Sequence, residues 1–308
     1  MANTLSASGD ARWLWRQATN RIMRSLCAAG AVLAVAVLGL VLIFLLSRGI
    51  GALNLNFFTK LPNHVNERAG GMAQSISGTL VLLCLASAVG LPFGILGGIY
   101  QIESRGRFAG VVRFFTDVLN GIPSIVIGIF VYAVAVAPTA ARHPGTGFSA
   151  LAGGLALGIM MIPTVMRTTE EILRLVPFSM REASLGLGAT RWRTMWSVVL
   201  PSARGGIITG IMLALARIAG ETAPLLFTIL GNEYLSTRTS HIAGVKVTLP
   251  SGNAPIDALP LRIYNYATAA DPDQQRLAWA GAVVLITLVL VFSILARFAT
   301  RGKILEEK

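Results

Sequence analysis

Charge is what this sequence has least of. Only 13% of its 308 residues are Asp, Glu, Lys or Arg, and the acids are the scarcer sign, 14 against 26 basic residues. Beside 54% hydrophobic residues and a mean hydropathy of +0.67, so little charge excludes both an ordinary soluble domain and a disordered chain. Cysteine is confined to Cys27 and Cys84, in or beside apolar segments, which argues against a disulfide framework and against a Cys metal site. His64, His143 and His241 are isolated in loops, with no HExxH and no paired catalytic carboxylates, so neither a metal nor a cofactor is expected. Lysine occurs only at Lys60, Lys246, Lys303 and Lys308, and Gly302-Lys303 is followed by Ile304. The chain therefore lacks the GxxxxGK[ST] phosphate loop, and it lacks a nucleophile elbow. It is not expected to be an enzyme, and any ATP that drives it must be hydrolysed by another subunit.

What is present is apolar length. Six runs, roughly 26–47, 74–99, 113–137, 149–167, 205–231 and 277–299, reach or approach the ~20 residues that cross ~30 Å of hydrocarbon as a helix. Helices are the expected element, because lipid cannot satisfy open backbone groups and the ten-residue alternation of barrel strands is missing. The expected fold class is an all-α polytopic membrane protein with six transmembrane helices. The first run is too long for a signal-peptide core and ends at Leu46-Ser47-Arg48-Gly49 without a small-residue cleavage pattern, so it reads as a retained helix. The longest connection, about 232–276, is rich in Gly, Pro, Asn and Asp and reads as an external loop built from turns.

The net charge of +12 invites a nucleic-acid reading, but its distribution follows the positive-inside rule instead. With a cytoplasmic N-terminus, Arg12, Arg16, Arg21 and Arg24 lie inside, followed by Arg105, Arg107 and Arg113. Arg167, Arg174, Arg181, Arg191, Arg193 and Arg204 come next on the same side, then Arg297, Arg301, Lys303 and Lys308. Arg48, Lys60, Arg68, Arg142, Arg238, Lys246, Arg262 and Arg276 are left to the longer loops outside. Both termini are expected in the cytoplasm.

Two segments carry chemistry. In the first, Ala216-Arg217-Ile218-Ala219-Gly220-Glu221-Thr222-Ala223-Pro224, an arginine and a glutamate stand inside an apolar run. Each costs roughly 2.5–3.5 kcal/mol at the centre of a spanning helix, so such residues face a partner, a cavity or a substrate path. Arg217 falls about 18 Å along the fifth run, near the midplane, with Glu221 one turn later on the same face. The two could form an intrahelical ion pair that merely neutralises itself. Alternatively the guanidinium, whose paired donors match a tetrahedral oxyanion, grips a substrate and the carboxylate weakens that grip in one conformation. Asp117 and Asn120, one turn apart at the cytoplasmic end of the third run, line the path or bond to neighbouring helices. Pro123 shapes the helix, while Gly90-Gly94-Gly98 and Gly206-Gly210 allow close helix packing.

The second segment is the connection 176–201. Ser179 and Glu182 have capping-box spacing behind Pro177, Gly188 permits a turn, and Thr190 can cap a second short helix with Trp192, Trp196 and Val199 on one face until Leu200-Pro201 ends it. Glu182-Ala183-Ser184, Gly188, Val198, Leu200 and Pro201 together resemble the EAA loop of ABC importer permeases, departing only by Ser184 for Ala and Val198 for Ile. In that family the loop docks in a cleft of the ATPase. The resemblance assigns that contact here to Glu182, Ala183 and Gly188, and ATPase coupling to these together with Ser184, Leu200 and Pro201.

The run from Ala216 to Thr228 is similar to the signature of the phosphate-specific ABC importer permeases, and its Thr222-Ala223-Pro224-Leu225-Leu226-Phe227 continuation looks like the A-type subunit. Asp117 to Gly128 and Gln275 to Gly281 also match. The resemblance implies a type I importer permease fold. It further implies a substrate path containing Arg217, Glu221, Thr222, Asp117 and Asn120, and inorganic phosphate as the substrate. The implied partners are a homologous permease, two ATPase subunits and an external phosphate-binding protein. The expected division is a cytoplasmic tail 1–25, a first helix 26–47, a permease domain 70–300 containing the coupling loop 176–201, and a tail 301–308. A permease for sulfate, molybdate or phosphonate is the near alternative. A proton-coupled secondary transporter would require inverted repeats that the sequence does not display.

Overall fold

A computed structural model describes residues 4–62, 70–104, 106–142, 147–232, 237–242, 245–250 and 252–301. His64, Arg68, Arg105, His143, Lys303 and Lys308 lie outside them. In chain order the helices are α1 (Thr4–Gly49), α2 (Leu55–Thr59), α3 (Ala73–Glu103), α4 (Arg107–Gly121), α5 (Ser124–Val131), α6 (Ala137–Arg142) and α7 (Ala150–Arg174). After these come α8 (Phe178–Gly186), α9 (Arg191–Thr194), α10 (Leu200–Ala219), α11 (Ala223–Thr228), α12 (Leu259–Ala267) and α13 (Pro272–Arg301). Among the described residues six helical stretches are long and apolar enough to cross a membrane: Trp13–Ala52, Ala73–Glu103, Ser124–Arg142, Ala150–Arg174, Arg191–Ala219 and Pro272–Leu295. The helical six-span expectation holds, and α1 simply extends its span back to Thr4.

The spans are arranged around α7, which packs along α3 and against α10. Small residues set that closeness. A Cβ on Gly90, Gly94 or Gly98 of α3 would stand 2.7–2.8 Å from Met161, Val165 or Thr169 of α7. Gly206 of α10 lies as near to Ile172. Without a water-driven hydrophobic effect between helices in lipid, this van der Waals approach is the main source of cohesion. Leu82, Ala86, Leu157, Met161, Val165, Ile218 and Leu225 form the resulting core.

Two expected spans are broken, each at a proline. The run 113–137 is not one helix: Ile122 is extended (φ −72°, ψ 130°) between α4 and α5, because Pro123 disfavours helical geometry in the residue before it and brings no N–H. Only Ser124–Arg142 spans, passing through a π turn at Tyr132–Val136, while α4 is a separate helix beside α7. The run 205–231 breaks at Gly220-Glu221-Thr222. Pro224 cannot donate to the Gly220 carbonyl and its ring would collide with it, so α10 stops at Ala219 and α11 begins anew at Ala223. The break is packed tightly, since a Cβ on Gly128 of α5 would fall 2.6 Å from the Pro224 Cα.

The connection 232–276 holds more than turns. It contains an antiparallel hairpin, β1 (Thr237–Ile242) with β2 (Val245–Pro250), in which Thr237 pairs with Pro250 and Ile242 with Val245. Beyond the hairpin lies α12. These are the only strands among the described residues. Asp257 and Arg262 are both buried and fasten the start of α12 to α3. Arg262 Nε donates to Asp257 Oδ2 at 2.7 Å, Ser75 Oγ donates to the same oxygen, and the Leu259 amide donates to Thr79 Oγ1 at 2.8 Å.

Candidate functional site

One face of α7 carries a column of polar residues, half-buried at Thr164 and exposed at Arg167 and Glu171. Thr164, Arg167 and Glu171 recur at three- and four-residue spacing, which places them on one face. Arg217, in the last turn of α10, donates from Nη1 to Thr164 Oγ1 at a long 3.4 Å. Thr164 lies fourteen residues from Ala150 and ten from Arg174, roughly 21 and 15 Å along the helix, so the contact is near the middle of the bundle. One turn on, Arg167 Nη1 comes within 3.7 Å of Asp117 Oδ1 and its Nε donates to Glu171 Oε1 at 2.8 Å. The column from Arg217 to Glu171 is thus about 10 Å long, measured as seven residues of α7.

Of the residues singled out in the sequence, Arg217 and Asp117 meet this face. Glu221 does not join Arg217. The Gly220 break removes it from the helix, and among the described residues neither side chain enters an ion pair, so the two do not neutralise one another. Arg217 is exposed and Glu221 half-buried in the break. Thr222 is the residue before α11 and makes no side-chain cap. Asn120 is exposed on α4, three residues before Pro123 at the α4–α5 break, and makes no hydrogen bond to the column among the described residues.

The connection at the arginine-rich end of the bundle forms a helical elbow. The helix α8 starts behind Pro177, with the Met180 amide on the Pro177 carbonyl, so Ser179 and Glu182 do not build the expected capping box. Gly188 takes φ +85°, a conformation costly for any side chain, and Thr190 Oγ1 caps α9 by accepting from the Arg193 amide at 3.3 Å. Leu200-Pro201 does not end the second helix. It opens α10, and Arg191–Ala219 runs on as one helix through a π turn at Met195–Val199, where the Leu200 amide bonds to the Met195 carbonyl. The π turn adds a residue and rotates the helix face. Val199 is accordingly buried with Leu173 and Met195, while Trp192 and Trp196 remain outside, edge to face at 5.4 Å.

The elbow is pinned to the spans through Arg181, which donates to Glu103 Oε1 at 3.0 Å and to the Leu173 carbonyl at 3.1 Å. Ser184 Oγ and Thr194 Oγ1 are 2.9 Å apart across the turn. Glu182 and Ala183 are exposed on the outer surface.

Two charged groups escaped the sequence reading. Glu170, with its side chain 2% exposed, accepts from Arg113 at 2.6 Å and from Arg174. The four-residue step from Glu170 to Arg174 is visible in the sequence, but Arg113 arrives from another helix. Asp257 was hidden in what looked like a turn-built loop. Burial pushes its carboxyl above the usual range, opposed by the Arg262 charge and the Ser75 hydroxyl.

The inner membrane component of binding-protein-dependent transport systems matches residues 90–304. A phosphate transport system permease protein PstA of Yersinia pestis is 40% identical over 296 residues, covering 96% of this chain and 94% of that protein. The Haemophilus influenzae PstA is 37% identical over 97% of this chain and all of its own length. In Methanocaldococcus jannaschii a probable PstA is 32% identical over 94% of this chain and 96% of its own. Among solved structures, a bacterial alginate ABC transporter in complex with its pentasaccharide-bound periplasmic protein superposes with a TM-score of 0.63 at 14% identity, covering 94% of this chain and 97% of that one. The MetNI methionine ABC transporter, inward facing, gives 0.53 at 18% identity, covering 74% and 92%. These structural likenesses speak for the importer permease fold alone. The six-span helical bundle, the elbow and the similarity along nearly the whole chain place this protein in the family of binding-protein-dependent transport system inner membrane components, among the PstA permeases.

Proposed function

We propose that the chain is the permease subunit through which an ATP-driven ABC importer moves inorganic phosphate into the cytoplasm. The observation that carries this reading is Arg217: a guanidinium at mid-bundle that has no ion pair among the described residues and only one long bond, to Thr164. Its remaining donors suit the oxygens of a tetrahedral anion. Supporting it is the likeness, along nearly the whole chain, to phosphate transport system permease proteins.

In this reading phosphate meets Arg217 beside Thr164 and the Gly220-Glu221-Thr222 break, then passes toward Arg167, where Asp117 and Glu171 oppose its tight retention. Asn120 lines the edge of the same route. Glu221, on a break rather than a helix, is free to approach Arg217 in another conformation and lower its hold on the anion. The arginine-rich end faces the cytoplasm, and residues 70–300 are the permease unit. The elbow 176–201 receives the ATPase stroke: Glu182 and Ala183 make the contact, Gly188 the turn, Ser184 the tie to α9, and Leu200-Pro201 the entry into α10. Its partners are a PstC-like permease, two PstB-like ATPase subunits that hydrolyse the ATP and a PstS-like phosphate-binding protein.

Phosphate uptake at micromolar concentration, in cells lacking their own high-affinity importer but supplied with the partner subunits, tests the reading. The chain restores ATP-dependent uptake, and Arg217→Gln, equally assembled, does not. Equal uptake by both would make the arginine structural. No uptake by either, with assembly confirmed and sulfate or molybdate carried instead, would move the chain to another oxyanion.

A further inference from the structure

Between the last turns of α3 and the start of the Arg191–Ala219 helix lies a cavity of about 340 Å³. Its walls are Leu96, Ile99, Tyr100, Met195 and the Trp192–Trp196 pair, and Arg191 stands at its rim. We propose that it holds one anionic phospholipid, with an acyl chain between α3 and Trp196 and the phosphodiester on Arg191.

Three observations converge on that occupant. The first is charge. Among the described residues Arg191 has no ion pair or side-chain hydrogen bond, whereas the neighbouring Arg181 is satisfied by Glu103 and the Leu173 carbonyl. Glu103 also lines the cavity, but its carboxylate is held by Arg181 at 3.0 Å and does not neutralise the rim. The second is level. The groove opens where two spans emerge at the arginine-rich end, and Trp192, Trp196 and Tyr100 cluster there as amphipathic rings do at a headgroup boundary. The third is continuity. Phe93, Leu96 and Tyr100 are exposed on one face of α3 and run from the groove toward the bilayer centre, a track for a hydrocarbon chain. A free anion would find one arginine and apolar walls, too little to hold it. A lipid uses both the charge and the walls, as basic pockets between spans do for acidic headgroups.

That the lipid comes from the cytoplasmic leaflet rests on the membrane orientation proposed above, and the test does not depend on transport. The intact importer, purified with its partner subunits and delipidated, is titrated with phosphatidylglycerol or phosphatidylcholine of identical chains and observed by native mass spectrometry. Phosphatidylglycerol should be retained about fivefold better, the ratio one interfacial arginine contributes. The preference should vanish in Arg191→Gln and persist in Arg193→Gln, which lies outside the groove. Leu96→Trp, which fills the groove and leaves Arg191 in place, should weaken retention of both lipids. A photo-crosslinker at Leu96 should capture lipid. Equal retention of the two lipids, a preference that survives Arg191→Gln, or a Leu96 crosslink to another subunit in place of lipid would overturn the proposal.

Discussion

Six residues apart on α7, Glu170 and Thr164 receive arginines in opposite ways. Glu170, 2% exposed, gathers Arg113 and Arg174 onto one carboxylate. Thr164 offers a neutral hydroxyl to Arg217 at 3.4 Å and leaves the guanidinium exposed. Both arrangements place charge within a membrane bundle, yet only the first pairs it with its opposite. A paired charge holds elements together, here α4 against α7. An unpaired charge contributes little to folding, and its cost is justified only by something that arrives from outside.

That contrast orders the effect of substitutions on stability. The largest loss is expected at the buried pair outside the spans: Asp257→Ala leaves Arg262, 6% exposed, without the carboxylate it meets, and thermal unfolding of the assembled importer should report about 3–5 kcal/mol. Glu170→Ala comes next, at roughly 1–3 kcal/mol, because Arg113 and Arg174 are 39% and 56% exposed and recover some solvation. Asp117→Asn, breaking a 3.7 Å contact between side chains that are both about half exposed, should cost no more than about 1 kcal/mol. Arg217→Gln should leave the unfolding temperature nearly unchanged while abolishing uptake. Were Arg217→Gln to unfold the complex as Asp257→Ala does, the distinction between holding and ligand-facing arginines would collapse.

The same comparison has a pH dimension at Asp257. Its folded carboxyl is raised above the unfolded value by burial, so the native state binds that proton more tightly. The corresponding stability is present below the unfolded pKa, ~4 for an aspartate, and is lost as pH rises through the raised folded value. Across that window unfolding temperatures of the chain should fall relative to Asp257→Asn, which cannot titrate. A constant difference between the two proteins would show that Asp257 keeps its ordinary affinity for protons.

Apolar length and arginine placement made the six spans legible, because crossing hydrocarbon demands a minimum run of apolar residues whatever the neighbours. Local chemistry also carried the elbow's turn at Gly188 and the Thr190 cap. The capping box failed because Pro177 had already set the entry to α8, and the end placed at Leu200-Pro201 failed because the π turn at Met195–Val199 shifts the bonding register and carries the helix past Pro201. Pro123 and Pro224 were both in view, yet the breaks they impose were not drawn through the long apolar runs that contain them. The bend at Gly220 was the consequential omission, since it separates Arg217 from Glu221 and turns an apparent ion pair into two independent groups.

By itself the sequence determined that the chain crosses a membrane six times, that it carries no phosphate loop, and that an arginine stands deep in its fifth apolar run. These follow from composition and short-range spacing, which act along the chain. Only the tertiary structure decided which charges meet. Arg113 reaches Glu170 and Arg217 reaches Thr164 across helices that are 57 and 53 residues apart in the chain. Such pairings depend on how closely glycine-lined helices approach and where prolines bend them, and no local pattern contains that distance.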